Sequence, residues 1–536
     1  MIKSFLNNQS KTIAAAAVIL GAASLISRLL GLFRDRILAG RFGAGDQLDI
    51  YYAAFRIPDL VYSLLVLGAI SAGFIPVFIS YLQKDKKEAW YLANSILNLM
   101  ALSLIIVCAL LIIFTPWIIK LVAPGFSSDK LSLTVQLTRV MFLSPFFLGL
   151  SAVFGGILQS FRRFLIYSLG PIMYNLGIIF GALVLVNYFG LLGLAYGVVL
   201  GAFFHMLIQI PSAYLAGFNW RPVFDFRFIG VRRIFKLMPP RLLSLALSQI
   251  NFWLMTVFAS LLAVGSITVY NLAHNIWSFP LGVVGISFVL AAFPKLSQAA
   301  QKKDRTAFVK TFSLTLRQIL FFILPAAALF IILRVQIVRL ILGTGRFDWQ
   351  DTVLTYQSLA YFSIGLFAEA LVLLFLRGFF AWEETKTPFL IGLLATAIRL
   401  STAWYLAQSI GVPGLALGFS VGSLFYLILL FIVLRRKIGF LDGKNILVSG
   451  IKIVFASCLA GLTAYLILEL SISWLETATG PGLLIQTGLV GLSALLVYLI
   501  FSWLFRLTEL KLFLTSLSGR FSRKRIPRQL DGINNQ

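Results

Sequence analysis

The feature that most limits what this chain can become is recurrence: apolar stretches of ~18 or more residues, the length that crosses a bilayer as a helix, follow one another almost from end to end. In lipid such stretches must be helical, because a backbone without water has to satisfy its own N–H and C=O groups. With 60% of 536 residues hydrophobic, 12% charged and a mean hydropathy of +0.94, no soluble core could absorb so much apolar surface. The expectation is an all-α polytopic membrane protein of about fourteen spans. They are Ile13–Phe33, Asp49–Tyr81, Trp90–Ile119, Val135–Ser160, Tyr167–Tyr188, Leu191–Leu215, Leu237–Ala263, Ile267–Pro294, Thr311–Leu333, Leu354–Phe380, Phe389–Gln408, Pro413–Leu434, Ile446–Leu468 and Leu483–Phe505. The first resembles a signal peptide, but its apolar run is too long and leads into arginines, so it counts as a span.

Charge placement orients the set. A formal charge of +26 would suggest nucleic acid in a soluble protein, whereas here the basic residues gather in alternate loops, the positive-inside pattern. Lys84, Lys86 and Lys87 follow the second span, Arg162 and Arg163 the fourth, Arg221, Arg227, Arg232, Arg233 and Lys236 the sixth. Lys302, Lys303 and Arg305 follow the eighth, and Arg435, Arg436 and Lys437 the twelfth; the loops after spans five, seven, eleven and thirteen hold neither Lys nor Arg. Both termini are therefore expected in the cytoplasm. Arg520, Arg523, Lys524, Arg525 and Arg528 of the tail fit anionic head groups more economically than RNA, so the expected contact is membrane lipid and not nucleic acid. Cys108 and Cys458 lie within apolar spans, and His205 and His274 sit on different helices without carboxylates nearby. No metal, cofactor or enzymatic activity is expected from them.

Self-similarity supplies the architecture. "GLLGLAYGVVLG" from Gly190 returns as "GVPGLALGFSVG" from Gly411, an offset of 411 − 190 = 221 that pairs Gly193, Gly197 and Gly201 with Gly414, Gly418 and Gly422. Gly149 with Gly365 and Pro171 with Pro388 give 216 and 217. Six spans separate the copies, so both enter the bilayer from the same side. Parallel repeats of this kind leave a site between them near the midplane whose access alternates as they rock. The expected units are a first lobe at 1–218, a second at 219–440, an added helix pair at 441–508 and a basic cytoplasmic tail at 509–536. The hydrolase-like "GFSVG" around Ser420 lacks the strand-to-helix elbow that pattern needs, and Val199 replaces the serine in the other copy. Its glycines read as close helix packing. The sequence around Lys444 is not a P-loop, so no bound ATP drives the chain.

Within this apolar background "SRLLGLFRDR" places Arg28 and Arg34 at the end of the first span. A charge at a helix centre costs ~2.5–3.5 kcal/mol on the insertion scale and ordinarily faces a wet cavity. Snorkelling of Arg34 and Arg36 to the interface, and pairing of Arg28 with a neighbouring helix, are the alternatives. The next span, "LDIYYAAFRIPDL", brings Asp49, Arg56 and Asp59 onto or near one face, with Pro58 allowing a bend. The two spans together can line a cationic cavity suited to phosphate or carboxylate. The second copy offers a neutral wall instead: Gln249 and Asn251 in "LSQINFW", and Asn271, His274 and Asn275 in "YNLAHNIWSFPLG". One charged and one polar wall suit an amphiphile whose head group carries phosphates with sugars or amides.

"SRLLGLFRD", "FGAGDQLDIYYAAFRIPDL", "GAISAGFIPVF", "APGF", "LSQINFWLMTVFAS", "FPLGVVGISF" and "KTPF" together resemble the MurJ (MviN) family of lipid II flippases in the MOP superfamily. The resemblance implies two six-helix lobes, a final helix pair forming a groove for a lipid tail, and export of the undecaprenyl-diphosphate-linked peptidoglycan precursor, lipid II, across the cytoplasmic membrane. It implies substrate-binding roles for Arg28, Arg34, Asp49 and Arg56, to which the neutral wall adds Gln249 and Asn275. The family's arginine pair and glutamate after this proline are replaced by Tyr62, Ser63 and Leu67, and its eighth-helix Asp-Arg by His274 and Asn275. Arg399 in span eleven is the candidate replacement cation. The rival readings are a flippase for another polyprenyl-diphosphate glycan of O-antigen or teichoic type, a cation-coupled drug antiporter, and a recruiting protein that has lost transport. The sequence sets no oligomeric state, and a monomer is admissible.

Overall fold

The computed structural model describes residues 13–67, 73–477 and 479–521, with helix and no strand among them. Among the described residues helices lie along the expected spans, and we number them in chain order. The first set is α1 (Ile13–Phe42), α2 (Asp46–Val61, resumed at Ile75–Lys84), α3 (Lys86–Val122), α4 (Ser128–Ser160), α5 (Phe164–Phe189) and α6 (Leu192–Leu215). The second is α7 (Pro239–Ser260), α8 (Ser266–Gln301), α9 (Arg305–Ile332), α10 (Trp349–Ile364 with Leu366–Ala381), α11 (Lys386–Ile410) and α12 (Val412–Ile438). α13 (Gly443–Ile472) and α14 (Gly480–Leu504) follow. Ten of these are long and apolar enough to cross a membrane, and the pair forming α10, bent by 44°, makes an eleventh.

The duplicated hairpin has one backbone solution in both copies. Gly190 turns α5 into α6 at φ 57°, and Gly411 turns α11 into α12 at φ 67°, a left-handed conformation that side chains with a Cβ rarely adopt. A Cβ on Gly193 would lie 2.4 Å from the Leu185 carbonyl carbon, and one on Gly414 2.4 Å from that of Leu406. Two helices can touch backbone to backbone here only because glycine faces the contact.

Proline placement repeats as well. Pro58 in α2 and Pro280 in α8 stand 280 − 58 = 222 residues apart, and each precedes a π turn, Tyr62–Leu67 and Leu281–Gly285. A proline removes one backbone donor and displaces the ladder by a residue, which such a turn accommodates. Ser420, the residue of the hydrolase-like pattern, has a structural task. Its hydroxyl donates to the Tyr361 carbonyl and accepts from Gly365 N at the bend of α10, satisfying backbone groups that the break would leave unpaired.

Two expectations need correction in extent. α1 runs to Phe42 instead of stopping near Phe33, because its later charges find partners in protein: Arg36 donates to the Leu340 carbonyl and Arg41 to that of Ala182. Snorkelling of Arg36 to the interface is thereby replaced by a backbone contact. The tail also begins as structure. Helix Thr508–Phe521 buries Glu509, which pairs with Arg317 of α9 at 2.8 Å and accepts from Ser449 of α13 at 2.9 Å. Arg523, Lys524, Arg525 and Arg528 lie outside the described residues.

Apolar packing divides the molecule unequally along its length. Toward the loops after α1, α3, α7 and α9, one core joins Leu38, Leu48, Tyr51 and Ile178 of the first set to Tyr270, Trp277, Phe362 and Phe419 of the second. Toward the basic loops a separate core holds Val61, Phe78, Leu92, Phe154 and Ile157 of the first set. One core thus spans both sets, while the other belongs mainly to the first set and is joined by Met238, with Leu242 and Trp253 of α7 packed against it.

Candidate functional site

Between the two sets, α1, α2 and α5 of the first and α7 and α8 of the second enclose a cavity of about 340 Å³. Arg34, Tyr51, Tyr52, Arg56, Asp59 and Tyr174 face it from one side, and Gln249, Asn271, His274 and Asn275 from the other. Of the six residues expected to bind substrate, four therefore share this space: Arg34, Arg56, Gln249 and Asn275.

Each arginine in it is held by a short list of partners. Arg34 donates through Nη2 to Asp35 Oδ1 at 2.7 Å and through Nη1 to Asn175 Oδ1 at 3.1 Å. Asp35 is buried, and its other oxygen accepts from Asn275 Nδ2 at 2.8 Å, so one carboxylate links α1 to α8. Arg56 reaches across from α2 to donate to Thr256 Oγ1 and Asn271 Oδ1, both at 2.6 Å, with its guanidinium 5.8 Å from the Phe252 ring centroid. Gln249 Nε2 donates to Ser63 Oγ at 2.7 Å. Asp59, one turn beyond Arg56, is exposed. Arg56 is accordingly a cation held by neutral groups, able to exchange them for an anion with no carboxylate to displace.

Asp49 and Arg28 stand elsewhere, which corrects their placement in the cavity. Asp49 Oδ2 accepts from Gly265 N at 2.7 Å, and Oδ1 accepts from Thr268 N at 2.9 Å and Thr268 Oγ1 at 2.7 Å. It caps the N-terminus of α8, where backbone donors lack intrahelical partners. Its neighbours continue the closure: Ala44 N donates to Asp351 Oδ2 at 2.8 Å, Arg346 N to the Gly40 carbonyl at 2.8 Å, and Gly125 N to Ser260 Oγ at 3.3 Å. This is a clasp between the two sets at the end away from the basic loops. Arg28 lies on the α1–α8 crevice, its guanidinium against Gly282 of the second π turn, where a Cβ would come within 2.1 Å of its Cζ.

Sequence reasoning did not single out Asp35, Tyr174, Asn175 or Thr256. Asp35 sits inside the quoted arginine stretch, but its role depends on Asn275, 240 positions away. The neutral second wall of the cavity follows from the repeat: at the 222-residue shift Arg56 falls on Ser278. Among the described residues no group of three or more His, Cys, Asp or Glu could hold a metal ion.

The family model described as "Lipid II flippase MurJ" matches residues 38–481. The chain belongs to this family. A probable lipid II flippase MurJ of Buchnera aphidicola subsp. Schizaphis graminum is 30% identical over 79% of this chain and 83% of its own length. Among solved structures, lipid II flippase MurJ in an inward closed conformation aligns with a TM-score of 0.76 at 25% identity, covering 91% of this chain and 98% of that one. An inward-facing multidrug resistance MATE family transporter of the MOP superfamily aligns at 0.67 with 16% identity, over 80% and 99%, a likeness of fold. Membership in the MurJ family together with the apolar helices makes the chain a multi-pass membrane protein of a transporter family.

Proposed function

We propose that the chain is a lipid II flippase of the cytoplasmic membrane, exporting the undecaprenyl-diphosphate-linked peptidoglycan precursor by alternating access. The observation that carries this reading is the presence of Arg34 and Arg56 in one polar cavity at the junction of two helix sets. A guanidinium presents its N–H donors in a plane that matches phosphate oxygens two at a time, so two of them suit a diphosphate.

On this reading the basic loops and both termini face the cytoplasm. Arg34 and Arg56 hold the diphosphate, Gln249 and Asn275 meet sugar or amide groups, and Arg28 guides the lipid at the α1–α8 crevice while the polyprenyl tail stays in the bilayer. Residues 1–218 and 219–440 rock as lobes beside the helix pair of 441–508. Asp49 acts as the outer latch, released for discharge. The drive is the membrane potential, worth ~2.3 kcal/mol per charge per 100 mV, and a negative interior favours outward movement of an anion. The test is complementation of a bacterium depleted of its own lipid II flippase. Growth restored by the wild type and lost with an equally expressed Arg56→Gln supports the reading, and no rescue by a well-expressed wild type counts against it.

A further inference from the structure

A second cavity, of about 350 Å³, lies between α7, α8, α10, α11 and α12. It meets the first at Phe252 and His274, which line both. Its polar wall is unusual for a membrane interior. Arg399 of α11 is 8% exposed and packs 4.1 Å from the Phe419 ring centroid. Its hydrogen bonds leave from Nη2, to Ser423 Oγ at 2.8 Å and to Glu369 Oε2 at a longer 3.2 Å.

Three atoms of residues lining this cavity are buried without a hydrogen-bond partner among the described residues: Arg399 Nε, Asn251 Oδ1 and Trp277 Nε1. Asn251 and Trp277 are 5% and 1% exposed. A buried polar atom left unpaired costs about 1–3 kcal/mol, so side chains that line one void and carry such atoms turned away from its open space mark a place where a polar guest pairs them once they turn inward. Their chemistry is specific: one acceptor, one neutral donor and one cationic donor. A peptide bond supplies a donor and an acceptor of its own, and a carboxylate supplies two acceptors for the Nε and Nη2 edge of a guanidinium.

We propose that this cavity is a subsite for a peptide carboxylate. Arg399 gives up its long bond to Glu369 for a carboxylate on the peptide branch of the head group, Asn251 Oδ1 accepts an amide N–H, and Trp277 Nε1 donates to a peptide carbonyl. The inference rests on the flippase reading and deepens it. The first cavity takes the diphosphate that every polyprenyl-linked glycan carries, and the second selects guests with an acidic peptide. The exchange breaks no covalent bond, and Glu369 keeps its bond from Ser423 at 2.8 Å.

The test is equilibrium binding to the full chain in nanodiscs of three probes: undecaprenyl diphosphate, lipid II with free peptide carboxylates, and lipid II with those carboxylates converted to carboxamides. The wild type is expected to prefer the carboxylate form by about tenfold, the worth of one charge-assisted hydrogen bond. Arg399→Gln should bring that ratio to about one. Glu369→Gln, which removes the competing carboxylate and leaves Arg399 in place, should raise it, and it serves where Arg399→Gln does not fold. Equal binding of both lipid II forms by the wild type, or a ratio unmoved in Glu369→Gln, overturns the subsite alone. Failure of the wild type to bind undecaprenyl diphosphate and either lipid II sinks the flippase reading and the subsite with it.

Discussion

At the scale of single residues, the arginines differ in what their neighbours allow. Arg56 is bonded only to neutral side chains, Thr256 and Asn271, whereas Arg34 shares its charge with Asp35. Arg56→Gln should therefore lower lipid II export by about tenfold or more, the loss of one charged hydrogen bond, measured as flipping in reconstituted vesicles. Gly282→Ala separates position from charge. Its Cβ would meet Arg28 Cζ, the mobile end of a long side chain, so the guanidinium is pushed from the crevice while the helix stays intact. Export should fall as in Arg28→Gln with a thermal midpoint close to wild type, and full export in Gly282→Ala would remove Arg28 from the path. Arg34, Arg56, Gln249 and Asn275 were legible in the sequence because each is a polar group in an apolar run. Asp35 and Thr256 were not, since their meaning comes from partners brought together only by packing α1 on α8 and α2 on α7.

At the scale of helices, the glycines of the repeated hairpin set the strongest constraint. A Cβ on Gly418 would lie 2.3 Å from Ala403 Cα, a backbone atom that cannot turn aside, whereas Gly450 on α13 has open space around it. Gly418→Leu should lose about 1–3 kcal/mol or more to overpacking and Gly450→Leu almost nothing, read as thermal unfolding in detergent. The cap of α8 is the second constraint. Asp49→Ala removes acceptors from Gly265 N and both donors of Thr268, a loss of about 0.5–2 kcal/mol, and should raise cysteine labelling at the clasp end. Unchanged labelling would show that Asp49 is not a latch. The helical class was readable because long apolar runs in lipid must be helical, and the hairpins because glycine marks their turns. Their true ends were not, because charges such as Arg36 and Arg41 terminate a hydropathy window yet continue α1 by bonding to carbonyls of other helices. The π turns escaped too: a proline announces a disturbance, and the geometry that absorbs it depends on packing.

At the scale of the whole molecule, the 221-residue repeat is met by one hairpin geometry in both copies, while the closed end lay beyond the sequence. That end depends on backbone meetings such as Arg346 N on the Gly40 carbonyl, which side-chain patterns do not encode. A Cβ on Gly40 would lie 2.7 Å from Thr344 Cγ2, so Gly40→Cys with Thr344→Cys should form a disulfide across the clasp. The oxidised protein should bind lipid II without flipping it, and reduction should restore transport; flipping by the locked form would rule out alternating access at this site. On the flippase reading, transport turns above all on two guanidinium groups in one cavity gripping a diphosphate. Its most direct measurement is the affinity for undecaprenyl diphosphate of the full chain in nanodiscs, wild type against the Arg34→Gln, Arg56→Gln double variant. Binding weakened by roughly a hundredfold, two contacts of about tenfold each, is the predicted result, and equal affinity in the two proteins would contradict it.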